Sequence, residues 1–240
     1  MREQPYVGLT LYGLSGSRKY LNAAERRRFL ESAQRLPSSE RLFCEMLAWS
    51  GARISEVLAL TPVAFDIESG VASIETLKRR RRGVVRQVPL PLELLDELEI
   101  VFGLTVARRD PELAVRRIWR FSRTTAWRCV KAVMVASGIN GLPAMPKGLR
   151  HGFGVNAFQS NVPPHLVQRW LGHASLRTTA IYGDVVGAEE RAIAELMWAP
   201  AMRTSGRYQI MCAVRNWAPR FIILDSVRRM FSIRSHGKAR

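Results

Sequence analysis

Apolar positions recur with helical spacing along most of this chain and give way to short β-type runs in one stretch only. From Leu21 the pattern predicts a helix toward Leu36, entered through Asn22 with Glu25 three residues on, an approximate capping box. A more apolar helix follows, capped by Ser38 or Ser39 and stopping near Gly51. A short third helix opens at Ser55, runs through Leu60 and is closed by Pro62. Between Ala64 and Pro91 three runs, Phe65 to Ile67, Val71 to Thr76 and Val84 to Leu90, read as the strands of a small antiparallel sheet. Helical spacing returns over Leu92 to Phe102 and around Trp119 to Ser137, and then over three consecutive segments, 148 to 160, 163 to 171 and 175 to 182. Pro163 and Pro164 start the second of these, and Gly172 stands just past its end. The expected fold is therefore mainly α with one small three-stranded antiparallel β-sheet, an α+β domain over 21–198. Residues 1–20, without a clear period and with several glycines, read as a loose arm; 199–240 read as a basic extension.

Charge narrows the partners. Among 240 residues there are 37 Lys and Arg against 20 Asp and Glu, a formal charge of +17, which points to a polyanion. Charge alone does not separate a DNA enzyme from another basic protein, so position has to decide. The last strand pair is joined by Lys78-Arg79-Arg80-Arg81-Arg82-Gly83, and Arg116, Arg117, Arg120, Arg123, Arg128 and Lys131 give the region around the Trp119 helix a basic face suited to DNA backbone. Cys44, Cys129 and Cys212 are far apart in sequence, form no CxxC pair and accompany only four His, so no zinc site is expected. The longest apolar run, Ile100 to Ala107, is too short for a bilayer. A soluble cytoplasmic protein with reduced thiols and no membrane partner is the expectation.

Breaking a phosphodiester without a metal takes a nucleophile, cations around the phosphate oxygens and an acid for the departing oxygen. Three local patterns offer this set: Ser50-Gly51-Ala52-Arg53-Ile54-Ser55-Glu56 before an apolar helix; Lys147-Gly148-Leu149-Arg150-His151; and Trp170-Leu171-Gly172-His173 followed by Thr178-Thr179-Ala180-Ile181-Tyr182. Their order resembles the boxes of the tyrosine recombinases, the phage integrase family. His173 lies 23 residues after Arg150 and Tyr182 nine after His173, spacings similar to those usual in that family.

The resemblance implies roles. Arg53 and Arg150 would grip the two non-bridging oxygens, because a guanidinium is always charged and its fork matches phosphate. Tyr182 would attack phosphorus to give a 3′-phosphotyrosine and a free 5′-hydroxyl, with neither ATP nor metal as cofactor. His173 would hydrogen-bond the scissile phosphate, and Glu56 would orient an arginine or nearby backbone. The family's acid is a lysine on the hairpin between two strands, which here is Lys78, the one lysine between Lys19 and Lys131. Arg79, Arg80, Arg81, Arg82, Arg120 and Arg123 would contact DNA. The family's second box usually begins with histidine, where this chain has Lys147, a cation but a poor proton acceptor; His151, four residues on, is a further imidazole there.

The resemblance spans about Leu21 to Trp198, without a counterpart of the family's N-terminal clamping domain. It implies site-specific strand exchange on double-stranded DNA by a homo-tetramer on paired sites. Two other readings stay open: a type IB topoisomerase-like enzyme that nicks and reseals, and a weakly active DNA-binding remnant. The Phe221 to Leu224 segment of the tail is expected to dock on a neighbouring subunit.

Overall fold

Helix α1 (Ala23–Ala33) is entered through the expected box: Asn22 Oδ1 accepts the Glu25 N–H at 2.8 Å while Glu25 returns the bond to the Asn22 N–H at 3.0 Å. The computed structural model describes residues 10–77, 83–185 and 188–202, the last six by backbone only, so Lys78, Arg79–Arg82 and the Phe221–Leu224 segment lie outside the described residues. By its contacts the chain divides into two units, 1–190 and 191–240, and every element from α1 to the turn bearing Tyr182 belongs to the first.

Helix α2 (Ser38–Ser50) buries every residue from Leu42 to Ala48 and forms the middle of the core. Pro37, with φ preset near the helical value, stands at its N-cap, so Ser38 and Ser39 are its first helical residues and not the caps expected of them. Helix α3 (Ile54–Leu58) likewise opens earlier than Ser55: Arg53 is the cap, and Glu56 three residues on satisfies its free N–H at 3.0 Å. The sheet has the expected order and direction, β1 (Phe65–Asp66), β2 (Val71–Glu75) and β3 (Val85–Pro89), all antiparallel. Its inward face carries Ala72 and Ile74 opposite Val88 and Arg86.

Helix α4 (Leu92–Phe102) is followed by two one-turn helices, α5 (Leu104–Ala107) and α6 (Pro111–Ala114), too short to show a period in the sequence. Helix α7 (Arg123–Ala136) begins at a Ser122 cap, four residues later than expected from Trp119. Trp119 instead fills the core from the preceding linker, edge-to-face on Phe43 and Phe102 with centroids 5.6 Å apart, its indole N–H donating to the Ser39 carbonyl at 2.9 Å. Arg116, Arg117 and Arg120 therefore precede the helix and are not part of its face. Cys44 of α2 and Cys129 of α7, distant in sequence, are free thiols with sulfurs 3.7 Å apart.

Helices α8 (Pro146–Gln159), α9 (Pro164–Leu171) and α10 (Leu176–Ala180) follow, then a 3₁₀ turn at Ile181–Gly183 and helix α11 (Ala188–Met202). Residues 10–20 are not loose: Leu11 and Tyr20 are buried, and a tight turn with Gly13 N–H on the Ser17 carbonyl at 2.7 Å closes a bridge between Tyr12 and Arg18. The glycines that obscure the period there are what allow the turn. Among the described residues no helix is long and apolar enough to cross a membrane.

Candidate active site

The first turns of α8 set the site. Lys147, Arg150, His151 and Gly154 fall at helical spacings that bring them to one face, and the first three line a cavity of about 620 Å³ together with Arg53, Arg123, Trp127, His173 and Tyr182. Lys147 is exposed at its edge, whereas Arg150 is buried. Arg150 Nη1 donates to the Gly51 carbonyl at 2.7 Å and Nη2 to the Leu171 carbonyl at 2.6 Å. Two of its five N–H groups thus join the ends of α2 and α9, while the side chain also lines the cavity. Burial and the neighbouring Arg53 bring its pKa down to about 10, which leaves it charged at neutral pH.

Tyr182 sits in the 3₁₀ turn after α10, not at the end of one continuous helix. Its ring lies on α8 at Gly154, where a Cβ would come within 2.6 Å of it, so a side chain at this position would expel the tyrosine. The hydroxyl is 3.3 Å from His151 Nδ1, and the ring lies nearly parallel to that of His173, 16° off with centroids 6.1 Å apart. Burial pushes its pKa up to about 12, against the pull of Arg150 and Arg53. Burial, with nearby cations, also drives His151 down to about 4 and His173 down to about 3, so both rings are neutral at physiological pH. A neutral imidazole can accept the Tyr182 proton, and His151 is the one within hydrogen-bonding distance. Lys147 is not among the hydrogen-bonding partners described for that hydroxyl.

His173 follows Gly172, which ends α9 at φ 65°, and its Nδ1 pairs with the Thr179 hydroxyl at 2.9 Å. Thr179 is fully buried, yet in the sequence it is one of two adjacent threonines before the tyrosine and carries no signal of its own. Arg53 points its Nη1 at Glu56 Oε1, 2.7 Å away, and Glu56 also takes Arg86 Nη2 at 2.6 Å. Burial raises the Glu56 carboxyl, but Arg86, the Arg53 N–H and the Arg53 guanidinium outweigh it and hold the group below its usual range. Sequence reasoning misses Arg86, although a signal for it exists: in β3 it shares the inward face with Val88 by simple alternation.

The structure thus brings together Arg53, Glu56, Lys147, Arg150, His173 and Tyr182. Arg123, exposed at the start of α7, lines the same cavity, while Arg120 is exposed outside it. Among the described residues no group of three or more His, Cys, Asp or Glu is placed to hold a metal ion.

The sequence profile described as the phage integrase family matches residues 19–189. Tyrosine recombinase XerA of Pyrococcus furiosus is 30% identical over 173 residues, covering 70% of this chain and 57% of that protein. Tyrosine recombinase XerD of Mycobacterium tuberculosis is 32% identical over 153 residues, covering 59% of this chain and 46% of that protein. The chain therefore spans about half the length of these relatives. Among solved structures, XerA recombinase superposes with a TM-score of 0.61 at 23% identity, over 76% of this chain and 64% of the other. XerH bound to its difH substrate gives 0.58 at 22% identity, over 78% and 59%. At such identities the superpositions speak for the fold. Because the profile match takes in α3, α7, α8 and α10, the helices around the cavity, as well as the turn that carries the tyrosine, the chain belongs to the phage integrase family.

Proposed function

We propose that this chain cleaves and rejoins double-stranded DNA as a site-specific tyrosine recombinase, with 21–198 as its catalytic domain and a homo-tetramer on paired sites as its working assembly. The observation that carries the reading is the cavity itself, in which three arginines, two neutral imidazoles and a buried tyrosine converge. Duplex DNA as the ligand is supported by relatives of this fold seen on DNA, XerH on difH and a lambda integrase dimer on a core site.

With a phosphate in the cavity, Arg53 and Arg150 take its non-bridging oxygens and His173 donates a further bond. The Tyr182 oxygen bonds to phosphorus as the bond from phosphorus to O5′ breaks. The tyrosine proton passes to His151 Nδ1, and O5′ takes a proton from the acid of the β2–β3 hairpin, assigned to Lys78. A 3′-phosphotyrosine and a 5′-hydroxyl result, and attack by another strand's 5′-hydroxyl reverses the step. Lys147 contributes charge at the cavity edge, while Arg79–Arg82, Arg120 and Arg123 hold flanking backbone.

Nicked duplexes tiled from the DNA flanking the gene test the reading. A detergent-resistant adduct on the 3′ side of the cut, formed equally in EDTA, is the expected product. Adducts on the 5′ side, or none from any duplex in the set, would overturn it. Plasmid relaxation without recombinants would favour the topoisomerase-like reading instead.

Lys147 and His151 are separable in single-turnover cleavage between pH 6 and 9. Lys147→Ala is expected to slow the step by about 10²- to 10³-fold at every pH, the usual cost of one preorganised charge donor. His151→Gln is expected to cost about 10²-fold across this range, where the wild-type imidazole is already neutral, and to remove the fall in rate that wild type shows when the assay is extended down to its pKa of about 4, because an amide does not titrate. An inert Lys147→Ala together with a tenfold gain in Lys147→His would mark a decayed site.

A further inference from the structure

Arg86 is a buried charge that takes no part in the cleavage steps. Its side chain is 4% exposed, and it alternates with Val88 on the face of β3 that an aliphatic residue would ordinarily fill. Its donors go to three different elements: Nη2 to Glu56 Oε2 at 2.6 Å, Nη1 to Thr76 Oγ1 at 2.9 Å, and Nε to the Trp170 carbonyl at 2.6 Å. Each of these leads to the site. Glu56 holds Arg53 by side chain and backbone. Trp170 and Leu171 are the last residues of α9, and Arg150 takes the Leu171 carbonyl just as Arg86 takes that of Trp170. The turn that follows presents His173, and it fits only because residue 172 is glycine: a Cβ there would lie 2.9 Å from Thr76 Oγ1 and 3.1 Å from Arg86 Cδ. Thr76 follows β2 at the root of the hairpin.

Packing alone does not call for an arginine here. Desolvating a guanidinium is costly, and buried ion pairs can often be replaced by well-packed apolar residues without loss of stability. What an apolar residue cannot do is fix the direction of three partners at once.

We propose that Arg86 is a positioning residue for strand transfer: through Glu56 it aims the Arg53 guanidinium, and through the Trp170 carbonyl it sets the turn bearing His173. The inference rests on the recombinase reading, but part of its test does not. Among the described residues, the charged groups facing Glu56 are Arg53 from the start of α3, Arg86 from β3 and, further off, Arg150 from α8. Without Arg86 the carboxyl keeps its burial and loses a cation, both of which favour the protonated form. A protonated Glu56 no longer pairs with Arg53, so Arg53 becomes ordered only as pH rises.

The test compares wild type, Arg86→Met, Arg86→Lys and Arg86→Met/Glu56→Gln, each first checked for cooperative unfolding. In the protein without DNA, the side-chain N–H signal of Arg53 in nitrogen-15 spectra is followed from pH 6 to 9. It is expected to stay sharp in wild type and in Arg86→Lys. In Arg86→Met it should broaden at low pH and recover at high pH, and in the double variant it should be broad throughout. Single-turnover cleavage should track it, about 10²-fold slower at pH 7 for Arg86→Met, the scale of a misplaced group of about 1 Å, with DNA affinity changed less than threefold. Arg86→Lys keeps a cation beside Glu56 and should retain the wild-type pH profile at about tenfold lower rate. An Arg53 signal indifferent to Arg86→Met, or a loss equal at every pH, overturns the proposal. If Arg86→Met does not fold, Arg86→Lys decides: a wild-type rate would overturn the proposal, and a slowed rate with an unshifted profile would support it. Absence of cleavage by wild type would count against the recombinase reading and leave the spectra to judge Arg86.

Discussion

Tyr182→Phe is expected to abolish the covalent protein–DNA adduct while leaving duplex affinity within about twofold, because only the attacking oxygen is removed. Phenylalanine keeps the ring that lies on Gly154 and parallel to His173, so the turn at Ile181–Gly183 keeps its packing. The hydroxyl's contact with His151, at 3.3 Å, is the interaction forfeited, and a bond of that kind contributes about 1 kcal/mol to folding. Loss of cleavage should exceed 10⁴-fold, since removing a nucleophile eliminates a pathway where most other substitutions only raise its barrier. Nicked duplex, denaturing electrophoresis and a parallel binding isotherm are sufficient measurements. Adduct formation by the phenylalanine variant would mean that another nucleophile acts, and the assignment of Tyr182 would fall.

Arg150→Ala should be the most damaging change outside the nucleophile, and in two respects. The Gly51 and Leu171 carbonyls lose their donor in a buried setting, at about 1–3 kcal/mol each, so the unfolding midpoint should fall by an amount equivalent to several kcal/mol. Cleavage should drop by about 10³-fold or more, because the same group supplies the remaining donors to the phosphate. Arg150→Lys separates the two effects. An ammonium restores charge but cannot span two carbonyls and a phosphate from one planar fork, so part of the rate should return with little of the stability. An alanine variant as stable as wild type and within tenfold of its rate would show that Arg150 neither joins the helices nor grips phosphate.

Much of the fold and site is legible in the sequence where chemistry demands particular residues at fixed offsets. The Asn22–Glu25 box, the Pro163-Pro164 start and the Gly172 stop are local and found where expected, and the three boxes, local too, bring Arg53, Arg150, His173 and Tyr182 to one cavity, with Tyr182 in a 3₁₀ turn after its helix. What escapes depends on partners distant in the chain. Trp119 reads as the first turn of a helix because its period continues that of α7, yet its indole is committed to Ser39. Arg86 passes as an ordinary residue of the run Val84 to Leu90, read as a strand, because nothing nearby shows that Glu56, Thr76 and Trp170 will surround it. His151 looks secondary beside Lys147 in the family's second box, and the fold reverses their standing toward the Tyr182 hydroxyl by turning His151 inward. The N-caps of α2 and α3 are Pro37 and Arg53, one or two residues before the serines expected at these helix starts; Pro37 presets the backbone without a side-chain cap bond, and Glu56 satisfies the Arg53 N–H.

Helix α8 carries Gly148, Gly152 and Gly154 within its fourteen residues, and at all three a neighbour comes close: the Pro143 carbonyl would clash with a Cβ at Gly148, the Leu21 carbonyl would be 2.7 Å from one at Gly152, and the Tyr182 ring 2.6 Å from one at Gly154. Each glycine lowers intrinsic helix stability by about 1 kcal/mol relative to alanine, so the segment is a weak helix by itself. Its order comes from what packs against it, chiefly α2, the Leu21 segment that enters α1 and the tyrosine turn. Lys147, Arg150 and His151 therefore acquire their common orientation only after residues more than a hundred positions upstream and about thirty downstream have docked. The cavity is thus a product of the whole fold: its tyrosine and arginines come from segments far apart in the chain and meet only where these segments are packed together. On the recombinase reading proposed above, cleavage requires the assembled domain and not the local boxes alone.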